Sequence, residues 1–217
     1  VIWAMEYFDK AIFAICGKTV SSAERNIVMP FQTIDNLPYS VDYRRSDRLM
    51  NVTCGKRSNL FYIFGGKDES SYALIQGITL SGVLLDEVAL MPKSFVDQAL
   101  ARTLSVENAK IWFTCNPESP EHWFHTDYIL GQQPGIKRLH FLMEDNPIMT
   151  PEKIKRAEQM FTGVFYQRYI LGLWVRAEGL IYRQFANNPE KFYIENKNLP
   201  RNKKGELDFH KVQIGVD

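Results

Sequence analysis

Cysteine is scarce in this chain. Three residues in 217, Cys16, Cys54 and Cys115, lie far apart with no CxxC pair. That excludes a disulfide scaffold or a thiolate metal centre and suggests reduced thiols in a cytosolic setting. Long apolar runs are missing as well. None approaches the ~18 residues needed to cross a bilayer, so no membrane partner is expected, and there is no basic-then-apolar signal peptide. Charge of one sign is also lacking: the net charge of +1 leaves only local patches for nucleic acid. What remains is ordinary globular material, 45% hydrophobic, enough for one sizeable domain or for one domain plus a fragment of a second. The chain opens on Val1 rather than Met and stops at Asp217 directly after an apolar run, so it reads as a segment of a longer protein.

No internal repeat is evident. Val1 to Lys10 has helical spacing, and Ala11 to Cys16 reads as a buried strand. Thr19-Val20-Ser21-Ser22 offers N-caps for a helix running toward Asn36, bent at Pro30. Leu49 to Cys54 and Leu60 to Phe64 look like strands, with a turn at Gly65-Gly66-Lys67-Asp68. An amphipathic helix is expected from Pro92 to Leu104, burying Phe95, Ala99 and Leu100, and a strand from Ala109 to Thr114. Thr150-Pro151-Glu152 has the composition of a helix start, and a second helix from Thr162 to Leu171 closes at Gly172. Arg183 to Glu206, rich in Asn, Lys and Pro, reads as an exposed connector, and Val212 to Asp217 begins a new strand.

The most informative stretch is Gly82-Val83-Leu84-Leu85-Asp86-Glu87, an apolar run that ends in two adjacent carboxylates. An unpaired ion taken out of water loses several kcal/mol, on the order of a protein's whole margin of stability. The pair is therefore expected at the carboxyl edge of a parallel sheet, where α/β proteins bind ligands. A Walker B site has this form: the first acid holds Mg²⁺ and the second positions or deprotonates the attacking water. A strand that simply runs into a solvated acidic loop would look the same. Strand, helix and strand from Gly82 to Thr114 form a βαβ unit with a right-handed crossover. Both carboxyl ends then share one edge, so Asn116 can face Asp86 and Glu87. Its amide both donates and accepts, which suits it to sense a phosphate or orient a water, although Asn-Pro is also a common turn initiator.

Gly82 to Ala89, followed by Thr114-Cys115-Asn116-Pro117-Glu118-Ser119-Pro120-Glu121-His122-Trp123, resembles the large terminase subunit of tailed phages, in its PBSX-like branch. Leu171-Gly172-Leu173-Trp174-Val175, Glu178-Gly179-Leu180-Ile181-Tyr182 and the closing Ile214-Gly215-Val216-Asp217 extend the resemblance over most of the chain from about Gln76 onward. The resemblance implies an α/β, P-loop NTPase-like fold, a mainly parallel sheet flanked by helices. It implies an ATPase domain over 1–148, a helical and linker segment over 149–209, and the first strand of an RNase H-like nuclease over 210–217. By the same resemblance Asp86 is the Walker B metal ligand, Glu87 the catalytic carboxylate, Asn116 part of the coupling motif, and Asp217 the first metal-binding acid of the nuclease. The implied cofactors are ATP and Mg²⁺, with Mg²⁺ or Mn²⁺ for the nuclease. The implied work is ATP-driven movement of double-stranded viral DNA into a procapsid, coupled to cutting of concatemers. A portal protein, a small terminase subunit and further copies of the chain would be partners, in the cytoplasm of a bacterial host.

The departure from that family lies at the other end. Gly17-Lys18-Thr19 imitates the tail of a Walker A loop, but the leading Gly of G-x-x-x-x-G-K-[ST] falls on Ile12. Strand formers over Ile12 to Ile15 resist the conformations a phosphate-wrapping loop requires. Lys18 is thus expected to be a decoy, with the P-loop strand and loop upstream of Val1 and the segment alone inactive. Arg102, between the two motifs, is a candidate arginine finger or a solvated helix residue. His122 and His140 lack partners at ligand spacing, and Trp112, Trp123 and Trp174 suit packing. Arg44-Arg45 with Arg48, and Lys56-Arg57, form a basic region able to track phosphates, diluted by Asp42 and Asp47. Lys203-Lys204 suits a solvated connector. Two other readings share the acidic pair: a helicase-like nucleic-acid motor, and a non-catalytic prophage remnant that binds DNA or a partner.

Overall fold

The computed structural model describes residues 1–131, 133–176, 191 and 201–205. The chain divides into two compact units, Val1–Arg176 and Ala177–Asp217. In the second, residues 201–205 form a turn in which the Arg201 guanidinium donates to the Gly205 carbonyl (2.8 Å), and Lys203 and Lys204 are exposed. The connector from Glu178 to Tyr182 and the final strand with Asp217 lie outside the described residues.

The first unit is built on a six-stranded sheet ordered β2-β3-β4-β1-β5-β6. The strands are β1 (Ile12–Gly17), β2 (Ser40–Arg44), β3 (Leu49–Cys54), β4 (Arg57–Gly65), β5 (Gly82–Leu85) and β6 (Lys110–Phe113). β4, β1, β5 and β6 run parallel, while β2, β3 and β4 form an antiparallel meander at one side. The sheet is mixed, mostly parallel, and flanked by helices. β2 was not anticipated, because an edge strand with alternating exposure carries no apolar run.

Two clusters cover the two faces. One gathers Ala14, Cys16, Val83 and Leu85 with Phe95, Val96 and Ala99 of α4 (Lys93–Ala101). The other joins Phe13, Ile15, Phe61 and Ile63 to Ala4 and Met5 of α1 (Ile2–Tyr7) and to Ala23 and Val28. Fully buried Asn59 fastens α1 to the sheet: its carboxamide accepts from Ala11 N–H (2.9 Å) and donates to the carbonyls of Ala4 (3.2 Å) and Phe8 (3.0 Å). These bonds satisfy a group that would be costly to bury alone.

The helix after β1 starts as expected at Thr19, whose hydroxyl accepts from Ser22 N–H (3.0 Å). It runs as α2 (Val20–Ala23), a π turn (Glu24–Val28) and α3 (Met29–Gln32). Pro30 has no N–H for the carbonyl four residues back and its ring crowds that carbonyl. The helix meets this by widening one turn earlier. α5 (Pro151–Met160) is capped by Thr150 as its sequence signals. The last helical stretch, α6 (Gly163–Phe165) continued by a π turn (Tyr166–Ile170), closes on Gly172 at φ +63°, a left-handed position that glycine takes without strain. No described helix is long and apolar enough to cross a membrane.

Candidate active site

The carboxyl ends of β1, β5 and β6 meet at one edge of the sheet. Asp86 and Glu87 stand immediately beyond β5, and Thr114 and Asn116 beyond β6. The ladder continues past the strands here, with Asp86 N–H donating to Cys16 carbonyl (2.8 Å) and Thr114 N–H to Leu85 carbonyl (3.1 Å). The two acids are thus held by backbone before any side chain contributes.

Thr114 joins the two acids. Its hydroxyl donates to Asp86 Oδ1 (2.9 Å) and accepts from Glu87 N–H (3.1 Å). Asn116 Nδ2 donates to Glu87 Oε1 (3.2 Å) and Oε2 (3.4 Å), the facing arrangement that the βαβ spacing predicts. Glu87 sits in the left-handed region at φ 57°, ψ 49°. A side chain there costs of order 1–3 kcal/mol unless its surroundings enforce it, and such strain clusters at functional sites. Its carboxyl lies above the ordinary glutamate range, chiefly because burial disfavours the ion and then because Asp86 repels it; the Asn116 bonds oppose the rise.

A cavity of about 320 Å³ opens on these carboxylates, lined also by Lys18, Arg25, Asn26 and Tyr169. Asn26 and Arg25 were not singled out from sequence. The signal was available in part: Ser22, Arg25 and Asn26 share one face of a helix that starts at the carboxyl end of a buried strand. Arg168 forms an ion pair with Glu118 (2.6 Å) and donates to the Val175 carbonyl (2.8 Å), tying the last helical stretch to the segment after Asn116.

The other sequence candidates separate cleanly. Lys18 reaches the cavity, but its ammonium donates to the Lys67 carbonyl (2.8 Å), and only Lys18 and Thr19 separate β1 from α2. Two residues cannot wrap a phosphate chain in backbone N–H groups. Lys18→Ala is therefore expected to change nucleotide affinity of the full-length protein less than about threefold, under ~0.7 kcal/mol; a loss of tenfold or more in a binding titration would refute this. Arg102 follows α4 at the opposite edge, where its carbonyl accepts from Leu80 N–H (2.9 Å). The structure does not bring it to the carboxylates. His122 Nδ1 accepts from Phe124 N–H (3.1 Å) with its ring 6.3 Å from that of Trp174, and Trp112 packs edge-on against Trp3 (4.9 Å between ring centres). At the β2–β3 turn, Arg44 pairs with Asp47 (3.3 Å) and Arg45 with Glu24 (3.2 Å).

A strand-end Asp-Glu pair bridged by the Thr and Asn of the neighbouring strand suits nucleotide hydrolysis. The large terminase of the thermophilic bacteriophage D6E, in complex with ADP, superposes on this chain with a TM-score of 0.78 at 46% identity, over 85% of this chain and 46% of that one. This chain is related to the phage large terminases. The D6E terminase in complex with ATP-gamma-S superposes with a TM-score of 0.75 at 45% identity over the same 85%. The large terminase ATPase domain of Thermus phage P74-26, at 17% identity and TM-score 0.55 over 80% of each chain, shares the fold. Among curated proteins, the terminase large subunit of Thermus phage G20c is 32% identical over 91 residues, 42% of this chain and 18% of that protein. No family model matches. The chain spans about half the length of the D6E terminase and under a fifth of the curated relative.

No group of three or more His, Cys, Asp or Glu side chains able to hold a metal occurs among the described residues. Mg²⁺ needs fewer, because it keeps several waters and is shared between one or two carboxylates and substrate phosphates. A single carboxylate placed as Asp86 is, with its Oδ1 held by Thr114, is enough for a metal that arrives with a nucleotide.

Proposed function

We propose that this chain is the ATPase part of a phage large terminase subunit that drives double-stranded DNA into an empty procapsid. The observation that carries this reading is the Asp86–Thr114–Glu87–Asn116 constellation at one sheet edge, on a chain 46% identical to the D6E terminase.

Bound ATP with Mg²⁺ supplies the phosphoryl group to be transferred and neutralises charge on it. The residues of the chain do the positioning. Asp86, oriented through Thr114, would hold the metal. Glu87 takes the proton of the attacking water at its carboxylate. Asn116 fixes that carboxylate and couples the state of the site to β6. Catalysis of this kind is mostly orientation and electrostatic preorganisation.

The portal protein, the small terminase subunit and further copies of the chain are the partners this reading entails, in the bacterial cytoplasm. The test is Mg²⁺-dependent ATP hydrolysis by the purified full-length protein, together with ATP-dependent protection of duplex DNA inside portal-bearing procapsids. Absence of hydrolysis under packaging conditions would overturn the assignment. Asp217 belongs to the same reading as the first nuclease ligand. Asp217→Ala is expected to remove Mg²⁺- or Mn²⁺-dependent DNA cleavage while ATP hydrolysis stays within about twofold, as expected when distant sites act independently. Cleavage at the wild-type rate would exclude Asp217 from that site.

A further inference from the structure

Asp86 is held from both of its oxygens, and only one of the two partners comes from the neighbouring strand. Thr114 donates to Oδ1; the other donor is Asn26, whose Nδ2 lies 3.2 Å from Oδ2. Asn26 stands sixty residues earlier in the chain, within the π turn that precedes Pro30. Its neighbour Arg25 lines the same cavity, and the Arg25 Nε donates to the Asn26 carboxamide oxygen (3.4 Å). The oxygen of Asn26 is thus engaged, which leaves its NH₂ group directed to Asp86 and fixes which way the amide faces.

Glu24, two residues before Asn26, points the other way. It is buried, accepts from the Tyr43 hydroxyl (2.5 Å) and pairs with Arg45 (3.2 Å). The helix is anchored on its far side to the β2–β3 hairpin, so Asn26 is presented to Asp86 from a braced element.

We propose that Asn26 is a positioning residue for the metal carboxylate: with Thr114 it locks the rotation of Asp86 so that the carboxylate meets a nucleotide-bound divalent cation in one orientation. This rests on the ATPase reading for the identity of the cation's carrier, but not for the geometry. Partners that orient a ligating carboxylate typically matter 10- to 100-fold in metal affinity. For one neutral donor on an exposed carboxylate the lower end, about tenfold, is expected.

The test is a Mn²⁺ titration followed by electron paramagnetic resonance, on full-length protein saturated with ADP. It compares wild type with Asn26→Ala, Asn26→Leu and Asp86→Ala, and ADP affinity is measured separately in EDTA. Leu keeps the branching and heavy-atom count of Asn without a donor, and Ala removes bulk instead of adding it, so a shared effect of the two variants reports the lost hydrogen bond. Both Asn26 variants are expected to raise the Mn²⁺ half-saturation about tenfold and to leave metal-free ADP affinity unchanged. Wild-type Mn²⁺ binding in both would overturn the proposal, as would an equal loss of metal-free ADP affinity, which marks a general structural defect. Binding of Mn²⁺ through Asp86 without ATP hydrolysis by the wild type would sink the ATPase reading and leave the role of Asn26 standing. Mn²⁺ binding untouched by Asp86→Ala would remove that role whatever the hydrolysis.

Discussion

Glu87→Gln is expected to lower ATP turnover of the full-length protein at least ~100-fold, the usual scale for loss of a positioned general base, with ATP binding retained. The amide oxygen of Gln can still accept from Asn116, so the geometry of the pair survives while the proton acceptor is lost. Turnover within a few-fold of wild type would remove Glu87 from the mechanism. A second consequence separates this residue from an ordinary surface acid. Because the folded-state proton affinity of Glu87 is raised by burial and by Asp86, its ionised form is disfavoured in the folded protein. As pH falls through the raised range the folded state binds the proton first, and stability rises. Gln carries no such penalty at any pH. The variant should therefore melt higher than wild type at neutral pH in the absence of nucleotide, and the gap should close as the solution is acidified. A variant that melts lower at neutral pH would contradict the burial of this charge.

The largest loss of stability is expected at Phe95. Its ring is fully buried in α4 among Ile75, Leu80, Val83, Leu85 and Phe124. The fit is tight: a Cβ at Gly66 would lie 2.7 Å from the Phe95 ring, so only glycine lets the chain after β4 pass so close. Phe95→Ala should cost ~3–5 kcal/mol, through lost transfer energy and the cavity left behind. In a domain of this size that is a fall in melting temperature on the order of 10 °C, measurable by calorimetry or circular dichroism. A loss below about 1 kcal/mol would mean that the site collapses around the smaller side chain. The consequence reaches the active site, since α4 is the crossover that brings β6, and with it Asn116, alongside β5.

The parts of this arrangement that were legible in sequence are those joined by local rules. The β5–α4–β6 unit follows from an apolar run, an amphipathic helix and a second strand, and right-handed crossover then places Asn116 against Glu87. Helix starts at Thr19 and Thr150 are visible because capping chemistry is local. The meander of β2, β3 and β4 was legible only in part. β3 and β4 carry apolar runs, Leu49-Met50 and Leu60 to Phe64, whereas β2, Ser40-Val41-Asp42-Tyr43-Arg44, is a polar edge strand. Asn26 was invisible for a different reason. Nothing near it in the chain marks it, and its contact with Asp86 exists only once β1 lies beside β5. The left-handed backbone of Glu87 was equally hidden, because glutamate gives no hint of a positive φ.

The strand order has a consequence for how the protein is made. β1 is flanked by β4 and β5, with Ile12 beside Leu60 and Phe13 beside Gly82, yet it is the first of the six strands to be synthesised. Its apolar residues cannot be covered until most of the chain that forms the sheet has been translated, and pairing across such separations is slow because the intervening loop must be closed first. A strand that waits in this way, with unpaired edges on both sides, is the segment most open to wrong partners during synthesis. The Asn59 bonds to Ala4, Phe8 and Ala11 need no part of the chain beyond β4. They would end that exposure on one side of the strand before β5 and its two carboxylates have left the ribosome.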